Sequence, residues 1–153
     1  MHVFDANALI AWLRNEQGAD EVRKLLLTSP TCMAHAINYC EVFYDMMRVE
    51  GEEAAQKAID DLQEVGVAYR DDMDMALCQE AGHIKAVFKR VSLADCFAMA
   101  LTKQEGAVLV TSDHLIIKPT AKSQQLKQLS KSSSQVVVTK PISSEISSAK
   151  STN

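Results

Sequence analysis

Apolar residues recur along this chain in two rhythms, and the points where one gives way to the other predict its elements. His2–Phe4 is a short strand-like run closed by Asp5, and Leu9, Trp12 and Leu13 follow at helical spacing. A strand turning directly into a helix is therefore expected at the start. Asp20 is placed to cap a second helix with Val22, Leu25 and Leu26 on one face and Pro30 beyond its end. Residues 31–34 read as the next strand, and Asn38 is expected to open a helix carrying Val42, Met46 and Val49, ended by Gly51. Residues 52–65 form an amphipathic helix through Ala55, Ile59 and Leu62, with Gly66 positioned as a left-handed C-terminal cap. A short strand at 67–69 follows. Residues 73–88 repeat apolar positions at Leu77, Ala81, Ile84 and Phe88. Ser92 opens a further helix with Leu93, Cys96, Phe97, Ala100 and Leu101 inward, and Gly106 stops it. Residues 107–111 are continuously apolar, as in a strand buried on both faces of a parallel sheet, and Val136–Val138 can add an edge strand.

Strands alternating with helices imply an α/β/α three-layer sandwich around a mainly parallel sheet of four to five strands. Length permits one domain, placed at residues 1–140, with residues 141–153 as a disordered tail of Ser/Lys composition. In open sheets of this kind, sites form beyond the carboxyl ends of the strands, where Asp5 and Asp113 both fall.

Composition narrows the classes of function. No apolar run approaches the roughly 18 residues of a membrane span, and Asp5 interrupts the N-terminal candidate, so neither a membrane protein nor a secreted one is expected. Cys32, Cys40, Cys78 and Cys96 contain no CxxC pair and sit in apolar stretches, which fits buried reduced thiols and a cytoplasmic location. The net charge of −4 conceals an asymmetry: residues 1–117 carry 10 basic and 19 acidic side chains, residues 118–153 six lysines and Glu145 alone. A basic tail of this kind reaches for phosphates or simply stays soluble. Met73, Met75, Met46 and Met47 are expected in the core or in a dimer contact.

Four acids stand at the starts or ends of elements on one side of the expected sheet: Asp5, Glu41, Asp95 and Asp113. Two carboxylates at neighbouring strand tips ionise together cheaply only with a cation between them, and hard oxygen donors suit Mg2+ or Mn2+. Each acid also has a structural explanation. Asn38-x-x-Glu41 and Ser92-x-x-Asp95 both match the capping box, and Asp5 or Asp113 could end a strand by capping the helix beyond it. Neither an HExxH nor any Cys/His ligand spacing is present, which argues against zinc.

The ordered set resembles the PIN-domain family, particularly its VapC-like toxin branch. VFDANALI matches an early Asp-x-Asn followed by Leu-Ile, NYCEVFYDMMR a helix-borne Glu, VSLADCFAMAL a Leu-Ser-Leu-Ala-Asp-Ala segment, and VLVTSDHL a strand closing in Thr-x-Asp. The likeness covers residues 1 to about 117. It departs after Asp113, where HLIIKP stands in place of the family's frequent aromatic. The resemblance implies an Mg2+-dependent endoribonuclease in which Asp5, Glu41, Asp95 and Asp113 hold the metal, with Asn7 and Thr111 orienting carboxylates or water. It also implies a homodimer silenced by a small antitoxin protein. Lys85, Lys89 and Arg90 are the expected phosphate contacts, against the alternative of a solvated helix face.

Two other readings compete. A haloacid-dehalogenase-type phosphatase also begins with a strand ending in Asp, but it wants a second acid where Asn7 stands. A binding module would keep the fold as an RNA or protein surface without catalysis.

Overall fold

A computed structural model describes residues 1–112 and 136–138. Its elements in chain order are β1 (His2–Phe4), α1 (Ala6–Leu13), α2 (Ala19–Thr28), β2 (Cys32–His35), α3 (Ala36–Glu50), α4 (Glu52–Glu64), β3 (Val67–Arg70), α5 (Met75–Val87), α6 (Leu93–Glu105), β4 (Val108–Thr111) and β5 (Val136–Val138). The strands form a parallel sheet in the order β3-β2-β1-β4-β5. β1 lies at its centre, with His2 level with Cys32 on one side and with Val108 on the other.

The period of two along the strands divides the core. Phe4, Cys32, Ala34 and Val110 join a cluster with Leu9, Val22, Val42, Ala55 and Leu62, so α1 to α4 cover one face. Val3, Met33 and Leu109 point the other way and meet Leu77, Ala81, Ile84, Phe97 and Leu101 of α5 and α6. This is the expected three-layer sandwich, with five parallel strands. Burial on both faces explains why the strands are apolar almost throughout.

Several local expectations are corrected. Asp20 does not cap α2: Gly18, in a left-handed conformation, precedes Ala19, and Asp20 sits in the first turn paired with Arg23. The helix expected from Asn38 begins at Ala36, because β2 runs straight into it. His35 is its N-cap and accepts through Nδ1 from the N–H of Ile37 at 3.2 Å. Its Nε2–H donates to the carbonyl of Asp72 at 2.9 Å, and its ring stacks on Phe97 with centroids 4.8 Å apart. One imidazole thus fastens β2, the turn after β3, and α6 together. Helix α5 starts at Met75 behind Asp74, whose carboxylate accepts from Leu77 N–H at 2.8 Å. Gly66 and Gly106 adopt the positive φ expected where a helix must turn away into a strand.

The methionines divide between core and surface, and the cysteines are not all buried as expected. Met46 is in the core, but Met47, Met73 and Met75 are exposed at 46%, 58% and 71%. Cys32 and Cys96 are buried free thiols, whereas Cys40 is exposed and Cys78 intermediate. No described helix is long and apolar enough to cross a membrane. The tail expected to be disordered lies outside the described residues.

Leu101 is fully buried between α6 and the sheet. Leu101→Ala is expected to lower unfolding stability by about 2–5 kcal/mol, the range for truncating a core leucine that leaves a cavity. Urea titration followed by circular dichroism measures it.

Candidate acidic site

The strand order places a topological switch point at β1. The chain leaves β1 toward β2 on one side, while β4 occupies the other, so the crossovers diverge beyond the carboxyl ends of β1 and β4, the place where open parallel sheets form their sites. Asp5 is the first residue past β1. Because Phe4 is level with Val110, Asp5 is level with Thr111, and both are fully buried. The backbone N–H of Asp5 donates to Val110 at 3.1 Å, prolonging the ladder. Its Oδ1 accepts from Ala8 N–H at 2.8 Å, so Asp5 does cap α1, with one carboxylate oxygen.

Asp95 approaches the same edge from α6. A helix leading into a parallel strand packs back against it, so the start of α6 lies near the carboxyl ends of β1 and β4, on which it packs. Its capping box is formed: Asp95 N–H donates to Ser92 Oγ at 3.0 Å, and Asp95 Oδ2 accepts from Ser92 Oγ at 2.7 Å and Ser92 N–H at 3.3 Å. Most such caps are solvated, but Asp95 is 2% exposed. Capping explains the conformation of Asp95; it does not explain why a carboxylate should be buried there.

Glu41 departs furthest from the sequence expectation. With α3 starting at Ala36, Glu41 lies in the second turn, beyond the free N–H groups, and no capping box forms with Asn38. The structural explanation for Glu41 therefore fails. Its Oε2 is buried without a hydrogen-bond partner among the described residues. Burial first, then the negative charges of Asp95 and Asp45, raise its carboxyl above the ordinary value of 4.5. Glu41 and Asp95 thus stand close enough for like charge to act between them, where α3 packs on α6. Asn38 bridges the same contact by donating from Nδ2 to the carbonyl of Ala94 at 3.3 Å.

Asp113 and His114 lie outside the described residues, although Thr111 leads toward them from β4. Among the described residues no three His, Cys, Asp or Glu side chains are close enough to form a metal-binding group. The donor chemistry nonetheless suits a hard cation: carboxylate oxygens, two of the acids coupled, and a buried oxygen on Glu41 lacking a donor. Asn7 is exposed in the first turn of α1. Lys85, expected as a phosphate contact, donates from its ammonium to the carbonyls of Lys89 and Val91 and fastens the turn after α5. Lys89 and Arg90 are exposed. Arg48 is paired with Asp45, and Arg70 with Asp72 and Glu105. Sequence reasoning missed Asn38 as a buried polar side chain at the contact of α3 with α6. The signal was its place on the Val42–Met46 stripe, where a polar side chain must be buried.

The PIN domain profile matches residues 2–122. No curated protein sequence matches the chain. Among solved structures, DNA-bound VapBC of Salmonella typhimurium is similar with a TM-score of 0.65 at 15% identity, covering 91% of this chain and 98% of that one. VapBC-1 of nontypeable Haemophilus influenzae is similar with a TM-score of 0.62 at 19% identity, covering 90% and 97%. VapC20 of Mycobacterium tuberculosis, described as a sarcin-ricin loop cleaving toxin, has a TM-score of 0.57 at 15% identity, covering 71% and 87%. At these identities the structures establish likeness of fold.

The raised carboxyl of Glu41 has a testable consequence for stability. The native chain holds this proton to higher pH than the unfolded chain, so the contribution is complete below about 4.5 and is lost as pH rises through the folded value. Without divalent ions, Glu41→Gln is expected to melt at higher temperature than wild type at neutral pH, with the difference vanishing in acid. Thermal melts across that range check it, and a variant less stable at neutral pH would show that Glu41 is not held under strain.

Proposed function

The chain belongs to the PIN domain family, and from that premise we propose that it is an Mg2+-dependent endoribonuclease, able to use Mn2+, acting as the toxin of a toxin–antitoxin pair. The observation that carries the reading is the second-turn position of Glu41. A carboxylate with no capping role, buried at one oxygen and coupled to Asp95, is costly in the bare fold and useful once a cation arrives. The sarcin-ricin loop activity named for the similar VapC20 supports RNA as the substrate class. The VapBC pairs among the similar structures support a small antitoxin protein as partner. A homodimer in the cytoplasm completes the reading.

Asp5, Glu41, Asp95 and Asp113 would hold the ion. When bound, a divalent cation supplies charge neutralisation on the scissile phosphate and acidifies a water to make the nucleophile. Asp5 is suited to the central place, since the sheet ladder and the α1 cap fix its carboxylate without solvent contact. Asp95 is oriented by Ser92 through its other oxygen. Glu41, whose carboxyl is raised by burial and by Asp95, would bind the ion or orient or deprotonate the attacking water. Thr111, level with Asp5, would orient a carboxylate or water beside it, as Asn7 would from the first turn of α1. Lys89 and Arg90, exposed ahead of α6 and without an ion pair among the described residues, would be the phosphate contacts, while Lys85 shapes their turn.

Cleavage of structured RNA in Mg2+ is expected to yield 5′-phosphate ends and to stop on chelation. Asp5→Asn and Glu41→Gln should each lower the rate by at least about 100-fold while the far-ultraviolet circular dichroism is kept. Wild-type rates in both variants, or cleavage undiminished by chelator, would refute the assignment.

A further inference from the structure

Asn38 is as fully buried as the core residue Val42 that follows it on the same stripe of α3. Its amide orientation is set by chemistry. The atom 3.3 Å away is the carbonyl oxygen of Ala94, which can only accept, so the NH2 group faces it and Oδ1 points elsewhere. Oδ1 is also buried and has no hydrogen-bond donor among the described residues. A buried acceptor without a donor is unfavourable, so its retention points to a donor that arrives with a ligand.

The surroundings indicate which ligand. Glu41 lies three residues further on the same side of α3, with Oε2 in the same condition, and Ala94 directly precedes Asp95. Asn38 is therefore about one helical turn from Glu41 and bonded to the residue that precedes Asp95. A small divalent cation keeps several of its waters when carboxylates bind it, and those polarised waters are strong donors that need acceptors around them. A neutral amide oxygen competes poorly with carboxylates for the cation itself, but it suits such a water.

We propose that Asn38 is a positioning residue of the acidic site: Nδ2 clasps the start of α6 to α3, and Oδ1 accepts a hydrogen bond from a water bound to the divalent cation. The assignment rests on the metal-site reading above. It differs from a simple interhelical clasp, which would need Nδ2 alone and would leave Oδ1 without a purpose.

The test compares Asn38→Leu with Asn38→Asp in the full chain, reading Mn2+ affinity without RNA by electron paramagnetic resonance. Both substitutions lose the Nδ2 bond to Ala94, but only leucine loses the acceptor. Asn38→Leu is expected to bind Mn2+ about 10-fold more weakly, and Asn38→Asp at least as tightly as wild type. Equal weakening in both would assign Asn38 to the clasp alone and overturn the proposal, as would unchanged affinity in Asn38→Leu. Metal-free melts establish that each variant is folded, and Asn38→Ala reads the same acceptor loss if the leucine does not fit. A wild-type chain with no Mn2+ affinity would instead remove the acidic-site reading, and the Asn38 role with it.

Discussion

Burial of a carboxylate beside a like charge is the constraint on the contact between α3 and α6. Glu41 and Asp95 come from helices far apart in sequence, yet each raises the cost of ionising the other where α3 meets α6. A chain selected for stability alone would place apolar side chains at that contact, because paired apolar groups need no partner and no counterion. Retaining acids there is consistent with a site whose stabilising component is a ligand. Asp5, at the tip of β1 in the centre of the sheet, is a further fully buried acid.

The scaffold holds these acids by giving part of each a structural task. Asp5 caps α1 with Oδ1, and Asp95 binds Ser92 with Oδ2. Each carboxylate is thereby locked in rotation by groups that are themselves fixed in helix starts. Capping and catalysis, which compete as explanations when only the sequence is considered, are compatible in three dimensions because a carboxylate has two oxygens. His35 contributes in a different way, tying β2, the Asp72 turn and Phe97 of α6 without belonging to the acidic set. Its contacts account for the full burial of a histidine at the end of β2.

Much of the architecture was legible in one dimension. The two faces of the sheet follow from Val3 and Phe4, or Leu109 and Val110, pointing oppositely into separate clusters, and an alternation of period two is a local property of the chain. Helix ends were less legible. Asn38 and Asp20 are good capping residues by type, yet His35 and Gly18 occupy those positions, because the path of the preceding segment decides where a helix begins. Met46 in the core and the exposed Met47, Met73 and Met75 show the same limit: hydrophobicity does not say whether a residue is buried within its own chain.

The amino-acid order by itself determined the sandwich, the parallel sheet and the identity of the candidate acids, since periodicity, turn residues and motif order are written along the chain. It left undecided whether Glu41 and Asp95 were caps or site residues. Only the tertiary structure removed the capping explanation for Glu41, by starting α3 at Ala36 and carrying Glu41 into the second turn, while it formed the capping box at Asp95. It also oriented Asn38, through the carbonyl of Ala94. Burial, electrostatic coupling and the direction of a hydrogen bond depend on which distant residues come to lie within a few ångströms, and no local pattern records that.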